Sequence, residues 1–179
     1  IGQLEVEYAD GTTQTFASDE SWKYSKKIPY TFCSWYGGED YDANIATQES
    51  LQKDVDSWHN AVLCTETIGK LKAQYYQPTG VVETWHPVSV KAINDSEYLL
   101  DFGQNFAGQY EFTLKGKKGQ TIQMWPAELL NAQGSIDQYQ IGTPVYDQYT
   151  FSGEADGETW GPTLVYHGFR YLLVKGLDK

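Results

Sequence analysis

Glu39, Asp40 and Asp42 crowd around Tyr41, directly after Gly37-Gly38 and the aromatic pair Trp35-Tyr36. Carboxylates grouped in this way suit two kinds of chemistry. As a pair they run glycoside hydrolysis, one as acid and the other as nucleophile or base. As a cluster they offer oxygens to a hard cation such as calcium. Set beside aromatic rings they also suit a sugar, whose hydroxyls need acceptors while its C–H face needs a flat apolar surface. The other reading is a solvated acidic turn, which a chain with 13 Lys plus Arg against 24 Asp plus Glu produces without any function. Trp125-Pro126-Ala127-Glu128 repeats the combination of indole and carboxylate, with a core Trp at a strand end as its alternative. Asp101-Phe102-Gly103-Gln104-Asn105 carries side chains that cap turning backbone or hydrogen-bond a polyhydroxylated ligand; capping is the favoured reading.

Other chemistries are excluded. There is no GxSxG, HExxH or P-loop, and Gly103 to Gly108 departs from GxGxxG in spacing. His59, His86 and His167 have no metal-site spacing, and His167, flanked by aromatics, reads as a packed or hydrogen-bonded histidine rather than a catalytic base. A net charge of −11 with a single arginine, Arg170, excludes a nucleic-acid partner, which needs clustered cations. No apolar run nears the roughly 20 residues of a membrane span, and residues 1 to 20 do not form a signal peptide. The chain starts at Ile1 in a strand-like run, as expected of a piece of a longer protein. Cys33 and Cys64 lack CxxC spacing and read as two partly buried thiols, with mutual pairing as the alternative.

The elements that must position these residues are strands. Leu4, Val6 and Tyr8 alternate with Glu5 and Glu7, and Asp10-Gly11 leads into Thr13 to Phe16, which predicts a hairpin. Ile28 to Trp35 predicts a strand that Gly37-Gly38 breaks, and strand periodicity is absent from 39 to 67. Within that stretch Leu51, Val55, Trp58 and Val62 recur at helical spacing, so 44–62 reads as a short amphipathic helix or a long ordered loop. Further strands are expected over 70–76, 81–93, 98–102, 108–115, 121–126, 147–151, 164–166 and 171–175, separated by turn residues. Short strands at this spacing predict an all-β chain, an antiparallel β-sandwich or a barrel rather than a βαβ fold. Pro87 places its strand at an edge or a bulge.

Several strings, taken in order, give a specific resemblance. They are Tyr8-Ala9-Asp10-Gly11, Gly38-Glu39-Asp40-Tyr41-Asp42-Ala43, Asp101-Phe102-Gly103-Gln104-Asn105-Phe106-Ala107-Gly108, Ala127-Glu128-Leu129-Leu130, Asp147-Gln148-Tyr149-Thr150 and Tyr166-His167-Gly168-Phe169-Arg170-Tyr171. Together they resemble the β-sandwich region that precedes the catalytic barrel of bacterial α-L-rhamnosidases, over nearly the whole chain. The family's Gly-Glu-x-Tyr-Asp-Ala-Arg string ends here in Asn44 rather than Arg, which removes whatever contact that guanidinium makes.

The resemblance implies a jelly-roll or concanavalin-like sandwich. It divides the chain into 1–70, the end of an N-terminal domain plus a connecting segment, and 71–179, a sandwich domain, with one continuous unit as the alternative. It implies an accessory module whose partners are the barrel of the same parent chain and a rhamnose-containing oligo- or polysaccharide. The family's acidic catalytic residues lie in a helical barrel expected beyond Lys179, so no catalytic residue carries over. Candidate carbohydrate contacts are Trp35, Tyr36, Glu39, Asp40, Tyr41 and Asp42 first, then Trp125 and Glu128. No cofactor is required, although some accessory sandwiches of the family use calcium. A purely structural spacer whose exposed aromatics dock on the barrel is the alternative function, and an autonomous hydrolase ranks third. An exported or periplasmic parent is the favoured location, with a cytoplasmic one as the alternative.

Overall fold

The computed structural model describes residues 2–45, 58–64, 69, 72, 74–142 and 144–178. They group into two compact units, Ile1–Lys27 with Gln48–Gly80, and Ile28–Thr47 with Val81–Lys179. The chain therefore enters the second unit, returns to the first and leaves again.

In the first unit, β1 (Gln3–Glu7) and β2 (Thr13–Ala17) pair as the expected antiparallel hairpin. Asp10 starts the turn by accepting the Thr12 backbone N–H at 2.9 Å, and Gly11 takes φ 82°, the left-handed region that glycine enters at no steric cost. A two-residue ladder joins β3 (Lys23–Tyr24) to β6 (His59–Asn60), with the Tyr24 and His59 rings 5.3 Å apart. Most of the expected helix or loop at 44–62, including Leu51 and Val55, lies outside the described residues. Of its other two positions, Trp58 precedes β6, while Val62 is 87% exposed.

The second unit is built on a seven-stranded sheet in the order β4-β5-β13-β10-β15-β8-β7. Its strands are β4 (Tyr30–Ser34), β5 (Gly38–Asp42), β7 (Ser89–Ala92), β8 (Glu97–Gly108), β10 (Thr121–Ala127), β13 (Asp147–Thr150) and β15 (His167–Lys175). All neighbours are antiparallel except β5 and β13, which run parallel with Tyr41 opposite Tyr149. A second layer, β9 (Phe112–Leu114) paired with β14 (Glu158–Trp160), covers one face. A small hairpin joins β11 (Leu129–Leu130) to β12 (Ile136–Asp137). The described residues contain no α-helix, only a 3-10 turn at Tyr139–Ile141.

The core fills the space between the two layers. Ile122, Met124, Tyr149, Phe151, Phe169, Leu172 and Val174 meet Tyr110 and Trp160 there. Along β10, Ile122 and Met124 point inward while Gln123 and Trp125 are half-exposed, the period-2 pattern of a strand with one buried face. Pro126 is tolerated in this central strand because β13 pairs with β10 only from Thr121 to Met124.

Three local expectations are corrected. Residues 81–87 and 164–166 lie outside every strand, so the run 81–93 shrinks to β7; Pro87 has no N–H to give a ladder. Gly37-Gly38 does end the preceding strand, but residues 38–42, expected to lack strand character, form β5. At φ 114°, a Cβ on Gly38 would sit 2.0 Å from the Tyr146 carbonyl oxygen, so only glycine lets β5 lie this close to the 146–147 backbone. Cys33 and Cys64 are unpaired and both exposed, Cys33 on β4 at the edge of the sheet.

Candidate functional site

The acidic string is a strand, and alternation along it separates its side chains. Glu39 faces inward with none of its surface exposed. Its carboxylate accepts the Thr163 N–H at 3.2 Å from both oxygens and the Leu164 N–H at 2.8 Å. Burial raises its pKa, against the lowering pull of those backbone N–H groups. Tyr41 also faces the core, stacked on Tyr149 at 5.7 Å. Asp42 turns onto Asn44, accepting its backbone and side-chain N–H groups at 2.8 Å each. Asn44 in turn donates to the Phe151 carbonyl at 2.9 Å, so the residue standing in place of the family's arginine ties the end of β5 to the core. The three carboxylates do not converge on one point. Among the described residues no three acidic, His or Cys side chains form a group that could hold a metal ion.

Asp40 is the carboxylate that faces out. It lies in register with Gln148, Gln123 and Lys175 across three neighbouring strands, a polar row on the uncovered face of the sheet. Gln123 and Gln148 are joined by a 3.0 Å hydrogen bond. Above Asp40 opens a cleft of about 350 Å³ walled by Phe32, Tyr36 and Tyr146, with Ser34, Gly37 and Pro144 completing it. Burial between these walls, and then the nearby Asp147 carboxylate, hold the Asp40 pKa above its ordinary value.

Aromatic rings continue the surface on both sides. Tyr146 stacks on Trp125 at 4.7 Å and 23°, and Lys175 caps the Trp125 ring from 4.4 Å. Tyr36 is anchored by its hydroxyl, which donates to the Ile141 carbonyl at 2.7 Å. Next to it Trp35 is 82% exposed, edge-on to Tyr36 at 6.1 Å. The structure thus brings together Trp35, Tyr36, Asp40 and Trp125, and it places Glu39 in the core with Tyr41 packed partly buried against it. Glu128 is exposed beside Gly168 and is not among the residues that line the cleft. Sequence reading missed Tyr146 and Phe32. The only trace of Tyr146 is alternation: Asp147 and Tyr149 point in, so Tyr146 and Gln148 point out.

Beneath the ledge two buried carboxylates are structural. Asp147 accepts the Tyr110 hydroxyl, lies 2.8 Å from His167 Nε2 and takes the Glu39 N–H at 2.9 Å. His167 is therefore the packed, hydrogen-bonded histidine expected. Glu158 accepts the Tyr149 hydroxyl at 2.8 Å and the N–H groups of Ser152, Gly153 and Glu154. Burial acts to raise its pKa, but these donors outweigh it and the net shift is downward.

A concanavalin-like β-sandwich with an aromatic, mostly uncharged outer ledge defines the class. Residues 91–179 match the bacterial α-L-rhamnosidase concanavalin-like domain, and residues 1–83 match the α-L-rhamnosidase N-terminal domain. The chain belongs to the bacterial α-L-rhamnosidase family, of which it represents the N-terminal region. An α-L-rhamnosidase of Formosa agariphila is 34% identical over 98% of this chain and 19% of its own length. The solved α-L-rhamnosidase of Dictyoglumus thermophilum superposes with a TM-score of 0.83 at 32% identity, over 99% of this chain and 20% of that one. That of Streptomyces avermitilis, solved with L-rhamnose, gives 0.86 at 30% identity over 98% of this chain and 17% of that one. The chain spans about a fifth of the length of the curated relatives it matches.

Proposed function

We propose that this chain is an accessory β-sandwich module of an α-L-rhamnosidase-like glycoside hydrolase, supporting the catalytic barrel of its parent and contacting a rhamnose-containing glycan through the ledge of Trp35, Tyr36, Asp40, Tyr146 and Trp125. The observation that carries this reading is the nearly free Trp35 ring beside a cleft that holds one outward carboxylate between aromatic walls. An indole left in water next to a directed acceptor has the two elements a pyranose needs, a stacking face and a hydrogen-bonding partner for its hydroxyls. Glu39 takes no part, being sequestered in the core, and Tyr41 packs partly buried against that core. Hydrolysis belongs to the barrel in this reading, and the parent works on glycan in the periplasm or outside the cell.

A second reading, a structural spacer, is favoured by the exposure of Tyr139, Leu164 and Tyr166, apolar surface that a docked barrel would cover. Titrating L-rhamnose, with and without calcium, while following tryptophan fluorescence separates the two. Saturation in the millimolar range, lost in Trp35→Ala and weakened in Asp40→Asn, is expected. An unchanged signal throughout that range refutes the glycan contact and leaves the spacer.

A further inference from the structure

Strands β8 and β15 pair from Glu97 to Asp101 and again from Phe106 to Gly108, yet between these stretches Phe102, Gly103, Gln104 and Asn105 stand opposite Arg170 alone. A bulge of this size turns side chains out of the ladder, and bulges concentrate next to binding sites. This one is held from beneath. Asp101 Oδ1 accepts the Gly103 N–H at 2.7 Å, and Arg170 grips the same carboxylate through Nε at 2.9 Å and Nη2 at 3.0 Å. Gly103 sits at φ 86°, with the position of its missing Cβ 3.4 Å from a Val88 methyl, so the wall here is bare backbone.

The segment 84–88, which enters no ladder before Ser89, runs past the bulge. Between them opens a cleft of about 440 Å³ lined by Thr84, Trp85, His86, Val88 and the bulge residues Phe102 to Gln104. The indole of Trp85 is fixed against Phe106, ring centroids 5.0 Å apart at 61°. The size lies within the range of small-molecule sites. The lining holds neither a carboxylate nor a lysine, and the nearby Asp101 and Arg170 neutralise one another. A net charge of −11 works against anions. What remains is an apolar side of Trp85, Phe102 and Val88 and a polar side of hydroxyl, imidazole and amide.

We propose that this cleft is a second carbohydrate site, binding one neutral pyranose with its C–H face toward Trp85 and Phe102 and its hydroxyls toward Thr84, His86 and Gln104. It shares no residue with the Trp35 ledge, so the two sites succeed or fail separately. The test is a titration of the ¹⁵N-labelled chain with methyl α-L-rhamnopyranoside, with D-glucose and with inorganic phosphate, read as amide and indole shifts. Saturable shifts at the Trp85 indole and the Gly103 and Gln104 amides are expected with a pyranose. Gln104→Ala, an exposed position that leaves the fold intact, should weaken that binding about tenfold, the weight of one well-placed hydrogen bond. Trp35→Ala should leave it unchanged. Shifts confined to the Trp35 ledge, shifts given by phosphate alone, silence of residues 84–88 and 102–105 at millimolar sugar, or full binding in Gln104→Ala each overturn the proposal.

Discussion

Replacing Glu39 by Gln tests whether this carboxylate is a brace or a ligand contact. The side chain is fully buried and both of its oxygens are engaged, one between the Thr163 and Leu164 amides and the other on Thr163. Gln keeps the shape but turns one acceptor into an N–H₂ donor that faces amide donors. Losing a hydrogen bond costs about 0.5–1.5 kcal/mol, and a buried donor left unpaired adds about 1–3 kcal/mol. The expected total is about 2–4 kcal/mol, which lowers the Tm of a chain this long by roughly 5–15 °C. The sign of the pH dependence follows from burial. Because the folded-state pKa is raised, the contribution of Glu39 is fully present below the unfolded value and declines as pH rises through the folded one. The gap between wild type and Glu39→Gln should therefore be widest in acid and narrow as pH climbs above the ordinary carboxylate range. Thermal unfolding followed by circular dichroism from pH 3 to pH 8 (about the span that brackets a carboxylate) measures both. An unchanged Tm accompanied by loss of sugar binding would refute the assignment of Glu39 to the core.

Two further outcomes are expected. Gly116→Ala places a Cβ 2.3 Å from the ring of fully buried Phe151, so the core must shift, at a cost of about 1–3 kcal/mol in urea unfolding; a neutral result would mean that Phe151 is free to swing aside. Tyr149 has its pKa raised by burial and then by Glu158, so its stabilising contribution persists below the ordinary tyrosine value and disappears as pH rises through the folded one. Spectrophotometric titration should show Tyr149 and Tyr110 still protonated above the ordinary tyrosine range, and Tyr149→Phe should remove one late-titrating group; ionisation of both within that range with no unfolding would contradict this.

Much of the fold was legible because its signals are local. The Asp10-Gly11 hairpin and the alternation of Leu4, Val6 and Tyr8 with Glu5 and Glu7 require only local backbone geometry. The order of the strings from Gly38 to Tyr171 carried the family, since each string has a backbone job: Asp101 caps Gly103 and pairs with Arg170, and His167 meets Asp147. The strand Gly38–Asp42 was not legible. Its inward positions hold Glu39 and Tyr41, and a buried carboxylate looks polar until its partners, the amides of residues 163 and 164, are known.

The candidate site divides in the same way. Residue types alone marked Trp35, Tyr36 and Trp125 as rings suited to stacking and Glu39 to Asp42 as acceptors. Only the tertiary structure decided which of them share a surface. Period-2 geometry sends Asp40 outward and Glu39 inward, and the parallel pairing of β5 with β13 brings Tyr146 to the same cleft as Tyr36. Neighbours along the chain point to opposite faces of a sheet, while neighbours in a site come from strands distant in sequence; sequence fixes the chemistry each residue offers, and the pairing of distant strands fixes which offers can be combined.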